Sequence, residues 1–190
     1  MTRREEILLA AAQVFQEKGY RGTTVQDIAQ AVGMLKGSLY YHFANKEEIF
    51  YEIIHDPLCH FVSQMAEVVA LDLPPRAKLR AALRYHLSAF DAHLPGVQVI
   101  LRENLGLMEG ERWSPIRALW KEHEELWASI LREGIERGDF DAGLDVRIAT
   151  LGILGMCNWM HRWYQKDGRL TTGQIADIWA GIILNGVLAA

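Results

Sequence analysis

The chain has 190 residues, half of them apolar and 23% charged, with a formal net charge of −4. That length and mix exclude a disordered tail or a low-complexity linker, and fit one large or two small globular units with a real core. The mild acidity also argues against a uniformly basic coat for nucleic acid.

Cys59 and Cys157 are too far apart for a disulfide framework or a metal-type spacing, so a reducing cytosol is the simpler setting. The charged start Met1-Thr2-Arg3-Arg4-Glu5-Glu6 leads directly into an amphipathic pattern. No apolar signal core follows it, and no run of 18 clean apolar residues occurs, so the expected location is cytoplasmic with no membrane partner. Charge is unevenly spread: residues 1–46 sum to +2 and residues 47–190 to −6. That boundary divides the expected reader (1–46) from the expected effector-binding and dimerisation part (47–190).

In chain order, Ile7, Leu8, Ala11, Val14 and Phe15 form one apolar stripe, stopped by Gly19 after Lys18. Thr24, with Asp27 three positions on, caps a short second helix ending near Gly33. A third short segment covers about Leu35 to Phe43. Asn45 with Glu48 then opens a long helix toward residue 70. Leu73-Pro74-Pro75 breaks the chain before a helix from about Arg76 to His93. Pro95-Gly96 breaks it again before an apolar helical stretch from Val97 to Leu107. Ser114-Pro115 opens a helix to about Arg137. Asp145 caps a strongly apolar helix reaching Tyr164, and Thr172 opens the last one. No stretch shows the period-two alternation of a strand. The class is all-α, with about nine helices.

The third segment departs from good helix design three times in succession. Leu35 stands where a capping hydroxyl or carboxylate is expected, and Lys36 sets a cation at a helix N-terminus. Gly37 inside a helix costs about 1 kcal/mol relative to alanine. Such clustered violations mark functional positions. A helix start with free N–H groups, a lysine and no bulky side chain can approach a polyanion closely. Leu39 and Phe43 point inward at i, i+4, while Lys36 shares a face with Tyr40 and Gly37 with Tyr41. Preceded by a tight turn at Gly33, this is helix-turn-helix geometry, although a plain helical hairpin with core tyrosines has the same generic pattern.

The run Thr23-Thr24-Val25-Gln26-Asp27-Ile28-Ala29, then Gly33, then Lys36-Gly37-Ser38-Leu39-Tyr40-Tyr41-His42-Phe43, then Asn45-Lys46-Glu47-Glu48 resembles the DNA-binding region of the TetR/AcrR family of bacterial transcription regulators. The resemblance spans about Ile7 to Ile53. It implies phosphate contacts from Thr24, Tyr40, Tyr41 and Lys46, and base-edge contacts near Gln26, Lys36, Gly37 and Ser38. Leu35 departs from the Ser or Thr of many members, which opens an apolar contact to a thymine methyl.

In the larger part, Trp113, Trp120 and Trp127 recur every seven residues, and Trp159 and Trp163 at i, i+4. Core packing and a ligand pocket both explain such a stripe. Ile175, Ile178, Trp179, Ile182, Ile183 and Gly186 leave the terminal helix little polar face, and Val146 to Trp163 is nearly as apolar. A helix apolar on most sides must be buried, and these two are expected to pair with a second copy in a four-helix homodimer interface. Two such readers would meet half-sites of a palindromic double-stranded operator roughly 34–36 Å apart.

A second resemblance rests on Gly134, Arg137-Gly138-Asp139-Phe140, Gly155-Met156-Cys157-Asn158-Trp159, Arg162-Trp163-Tyr164 and Gly168-Arg169-Leu170. These residues resemble the subgroup controlling fatty-acid, phenylacetate or sterol-ring breakdown, whose members are commonly released from DNA by acyl-CoA thioesters. The implied effector needs an apolar tunnel and cations for its phosphates. Phe90, Leu105, Trp127, Trp159 and Trp163 would supply walls, and Arg102 and Arg162 charge. The rival effector is an aromatic or drug-like small molecule of the kind sensed in efflux control.

Enzyme motifs are missing: there is no P-loop, dinucleotide glycine pattern, GxSxG or HExxH. No cofactor is expected beyond the effector ligand. His55-Asp56 with Cys59-His60 is the one cluster resembling metal ligands, and ordinary helix-surface histidines are preferred to a metal site. The expectation is a ligand-responsive DNA-binding repressor and not an enzyme.

Overall fold

The structure is a computed structural model that describes residues 1–91, 99 and 110–185. Of the expected helix from Val97 to Leu107 only Val99, buried and helical, is described; Arg102 and Leu105 lie outside the described residues, as does Gly186. Eight α-helices and no strand occur among the described residues: α1 (Arg3–Gly22), α2 (Val25–Ala31), α3 (Lys36–Leu39), α4 (Lys46–Ala70), α5 (Pro75–Asp91), α6 (Ser114–Glu136), α7 (Val146–Trp159) and α8 (Thr172–Asn185). Single 3₁₀ turns at Glu111–Trp113 and Met160–Arg162 flank α6 and α7. Among the described residues, no helix is long and apolar enough to cross a membrane.

Local sequence accounts for most boundaries. Thr2 and Glu5 form a reciprocal capping box at α1. Gly19 does interrupt α1, with φ +74°, but helical turns resume to Gly22, because Thr23 donates its hydroxyl to Gly19 O at 2.7 Å. Asn45 Oδ1 accepts from Glu48 N at 2.8 Å, while the Glu48 carboxylate accepts from Ala44 N rather than from the capping residue. Asp145 caps α7 through Ile148 N. The start of α8 is capped by Thr171, which exchanges bonds with Gln174, one residue earlier than the Thr172 expected from sequence. Thr172 is buried and donates instead to Asp91, which also accepts from the Tyr164 hydroxyl.

The chain divides into two compact units. One comprises Met1–His60 with Leu94–Arg117, the other Phe61–His93 with Ala118–Ala190. In the first, α1 buries Ile7, Ala11, Val14 and Phe15 against Ile28, Leu39, Phe43, Ile49 and Phe50. Phe50 stands edge-on to Phe15 and Trp113, at 5.3 and 5.8 Å between centroids. In the second, α5 buries Leu79, Ala82, Leu83, His86, Leu87 and Phe90 on one stripe. It packs mainly on α8, which turns Ile175, Ala176 and Ala180 inward.

Two members of the tryptophan repeat follow the core-packing alternative: Trp113 is buried in the first unit and Trp127 in the second. Gly134 shows what fixes the end of α6. Its missing side chain admits the Phe140 ring, which a Cβ would meet at 2.0 Å. Gly138 supplies the left-handed turn between them at φ +75°.

Candidate nucleic-acid interface and effector region

The first unit assembles its candidate surface from three short elements. Thr24 and Asp27 cap α2 reciprocally, Thr24 N donating to Asp27 Oδ2 at 2.8 Å and Asp27 N to Thr24 Oγ1 at 3.2 Å. Lys18 Nζ adds a 2.6 Å ion pair, and together with Thr24 it holds the Asp27 carboxyl well below the usual carboxylate range. The chain then turns at Gly33, whose φ of +64° a side chain would resist. Met34 N returns to Ala29 O at 2.8 Å, closing the turn. Leu35 is the uncapped N-terminal residue of α3, extended and 80% exposed, as its sequence predicts.

What α3 presents follows from its pitch. Leu39 is buried and Phe43 with it, so Lys36 and Gly37 face outward with Tyr40 and the 90%-exposed Tyr41. Ser38 is half-buried; Gln26 and Thr24 are exposed on α2. The first amides of α3 have no acceptor within the helix, and its dipole adds positive potential where Lys36 already stands. Exposed amides, a cation, a gap without a side chain and two phenols therefore share one surface.

Two of the sequence-derived contact residues are already engaged. The Thr24 hydroxyl serves the cap and the Asp27 carboxylate. Lys46 Nζ donates to Tyr20 O and Thr23 O, both at 2.7 Å, and lies 4.3 Å over the Tyr20 ring. That anchor gives carbonyl acceptors at the end of α1 a cationic donor and joins it to the start of α4. Sequence reasoning missed Arg4, whose guanidinium covers the Phe43 ring at 4.3 Å and pairs with Glu52. It also missed the bond from Arg3 to Val32 O at 2.8 Å, which ties the start of α1 to the end of α2.

The second unit separates the expected effector residues. Phe90 is buried, edge-on to Tyr164 at 6.4 Å, and Trp127 is fully buried. Trp159 and Trp163, expected as pocket walls beside them, are 57% and 48% exposed. Arg162 lies 4.7 Å over the Trp159 ring on the same outer surface. The physical reason is helix phase: Ile153, Leu154 and Cys157 take the inward side of α7, which leaves Ile148, Leu151 and Trp159 outside.

A corresponding correction applies to the terminal helix. Ile175 was expected at an interface with a partner, but it is 4% exposed and belongs to the core of its own unit. Ile178 and Ile182 do stand out, Trp179 and Ile183 are half-buried, and Trp163 meets Trp179 edge-on at 6.1 Å. Ile183 lines an open groove of about 490 Å³ with Arg76, Leu79, Phe140, Ile153 and Met156.

The interior of this unit also contains polarity that helical periodicity did not reveal. His86 on α5 bonds Asn158 on α7 through Nε2 at 3.2 Å, and Trp127 Nε1 donates to His123 Nε2 at 3.1 Å. The imidazoles lie 5.4 Å apart, and Phe61 packs on both at 5.2 and 5.1 Å. Burial pushes His86 down to about 4 despite the Asn158 bond. His123 falls to about 3 through burial and the neighbouring His86. Both Nδ1 atoms, with Trp120 Nε1 and Thr150 Oγ1, are buried without a hydrogen-bond partner. Each such atom costs about 1–3 kcal/mol in desolvation. Among the described residues no group of three potential metal ligands is found, His55 to His60 included; there His55 bonds Asp56 at 2.9 Å.

Comparison with known proteins gives these surfaces a context. Residues 7–53 match the family described as bacterial regulatory proteins, tetR family, and residues 72–187 match the tetracyclin repressor-like C-terminal domain. The chain is 37% identical to the HTH-type transcriptional repressor KstR2 of Rhodococcus jostii, over 97% of this chain and 91% of that one. It resembles the crystal structure of AibR in complex with isovaleryl coenzyme A and operator DNA at a TM-score of 0.87 and 30% identity, covering 96% and 98% of the two chains. The structure of FadR from Bacillus subtilis in complex with stearoyl-CoA is similar at 0.76 and 26%, covering 97% and 99%. With both halves matched in order and a relative aligned over nearly its whole length, the chain belongs to the TetR family of bacterial transcription regulators.

Proposed function

We propose that the protein is a homodimeric repressor that holds a palindromic operator and is released from it by an acyl-CoA-type effector. Residues 1–46 read DNA in this scheme, and residues 47–190 bind the effector and pair the subunits. The observation that carries it is the outward face of α3, where Lys36, Gly37, Tyr40 and Tyr41 gather over a sealed core. Lys36, Gly37, Ser38 and Gln26 serve base edges, and Tyr40 and Tyr41 serve phosphates. Thr24 and Lys46 contribute to the phosphate-facing surface by fixing the α2 and α4 starts.

Support for pairing comes from the outer surfaces of α7 and α8. Ile148, Leu151 and Trp159 recur at helical spacing, and Ile178 and Ile182 at i, i+4. Gly152 and Gly155 have open space where a side chain would stand, which admits a closely approaching helix. Trp159, Arg162 and Trp163 belong to this exposed surface in our reading, with Trp179 beside them. Support for the effector class comes from the relatives solved with isovaleryl coenzyme A and stearoyl-CoA.

Fluorescence polarisation on DNA from the region upstream of the protein's own coding sequence tests the scheme. A specific complex with a two-fold half-site requirement is expected, dissociating as acyl-CoAs of graded chain length are added. No release by any thioester, with release by aromatic or drug-like compounds, would move the effector to the rival class.

A further inference from the structure

The two unpartnered imidazole nitrogens have opposite hydrogen-bonding character. Indole N–H groups only donate, so His123 Nε2 must accept from Trp127, which places the His123 proton on Nδ1. Asn158 Oδ1 only accepts, so His86 donates from Nε2 and its Nδ1 carries a bare lone pair. The interior therefore offers one unused donor and one unused acceptor on rings whose centroids are 5.4 Å apart. Both rings also pack on Phe61, at 5.2 and 5.1 Å. Trp120 contributes a third unused group, an indole N–H on a ring 6.2 Å from His123.

Two donors and one acceptor complement one chemical group in particular. A hydroxyl donates once and accepts twice, whereas a carbonyl or ether oxygen only accepts and leaves His86 Nδ1 unsatisfied. Phe61 and Trp127 give the pair aromatic neighbours, Trp127 edge-on to His86 at 5.9 Å and to His123 at 6.5 Å. Two unpartnered donors and one unpartnered acceptor among aromatic rings match the hydrogen-bonding complement of an alcohol on a hydrocarbon.

We infer that His86 and His123, with Asn158 and Trp127 fixing their tautomers, form a specificity site for a hydroxyl group on the hydrocarbon part of the effector. This rests on reading the larger unit as an acyl-thioester sensor. The preferred ligand class is a hydroxylated acyl chain or ring over its unsubstituted parent.

The test uses the full chain and acyl-CoAs of one length, unsubstituted or with a single hydroxyl moved along the chain, together with the matching free acids. Calorimetry on wild type should show one hydroxyl position favoured over the parent by roughly ten- to hundredfold, because a site built for a hydroxyl rejects the analogue lacking it. In His123→Phe and His86→Phe that ratio should fall to near one, and His123→Asn, which keeps an N–H near the Nδ1 position, should restore much of it. Operator affinity without effector reports whether each variant folds. Imidazole nitrogen NMR on wild type supplies a readout independent of the variants: the favoured ligand should shift the Nδ1 signals of both histidines. A wild type indifferent to hydroxyl at every position, or a ratio unchanged by both phenylalanine variants, overturns the inference. Nδ1 signals unmoved by every probe would also overturn it, leaving the pair a holder of structural water. If no thioester binds but a hydroxylated free acid does so with the same dependence on His123, the thioester reading fails and the hydroxyl site stands.

Discussion

The two compact units treat buried polarity differently. In the first, Phe15, Ile28, Leu39, Phe43 and Phe50 are sealed from solvent, and the one buried polar side chain among the described residues, Thr23, bonds Gly19 O. The polar and phenolic groups of interest are turned outward on α3. In the second, His86, His123, Trp120 and Thr150 keep buried polar atoms without partners among apolar and aromatic neighbours. A surface that must fit a regular duplex gains from a satisfied, rigid support. Under the proposed function, an interior that responds to a ligand gains from groups the ligand can satisfy, at some cost to the empty state.

That contrast can be broken most severely in the reader. Phe15→Ala removes a ring 1% exposed, in contact with Tyr20 and Phe50, and should destabilise the first unit by about 3–5 kcal/mol. Chemical denaturation followed by loss of operator binding checks this. A smaller change, or none, would mean the reader core is not the tight support described.

The next effect belongs to the second unit and depends on pH. Both histidines have folded values depressed below the ordinary 6.5, to about 4 and about 3. Between those values and 6.5 the unfolded chain binds protons that the folded chain does not. Stability is therefore full above pH 6.5 and falls as the pH drops, by at most roughly 1.4 kcal/mol per pH unit for each histidine. Denaturation midpoints across pH 4 to 7 should show that slope in wild type and lose most of it in the His86→Phe, His123→Phe double variant. An unchanged slope would assign it to other groups.

Lys36→Ala should weaken operator binding by about 1–3 kcal/mol if the lysine reads a base edge. If it meets phosphate instead, the salt dependence of binding should fall by about one counterion. Unaltered affinity and salt slope would remove Lys36 from the interface. The smallest change is Thr24→Ala, which deletes the cap of α2 and should cost about 1 kcal/mol in thermal or denaturant stability.

How much of this was legible beforehand differs by unit. In the reader, chemistry sits at helix boundaries, and boundaries are written locally: Thr24 with Asp27, Gly33, the uncapped Leu35, and Leu39 with Phe43 on one face. In the second unit the same kind of reading did not separate core from surface. Trp127 and Trp159 look alike in sequence, yet one is sealed and the other half in solvent. Ile175 and Ile178 lie three residues apart on one apolar helix and face opposite surroundings. An apolar helix announces that it is covered without saying by what, because its periodicity fades when every face is hydrophobic. Lys46 shows the same limit in the reader. The family resemblance implied a phosphate contact for it, and only the fold brought it to the carbonyls of Tyr20 and Thr23.

The sequence by itself determined the all-α class, the capped helix starts, the helix-turn-helix hairpin and the family resemblance. Those properties depend on residues within a few positions of one another, where backbone geometry and capping energies act. Tertiary structure alone decided which tryptophans are core, which isoleucines are surface, and that His86, His123 and Asn158 meet. Those three come from separate helices, and their proximity depends on how the helices pack, which no local pattern encodes.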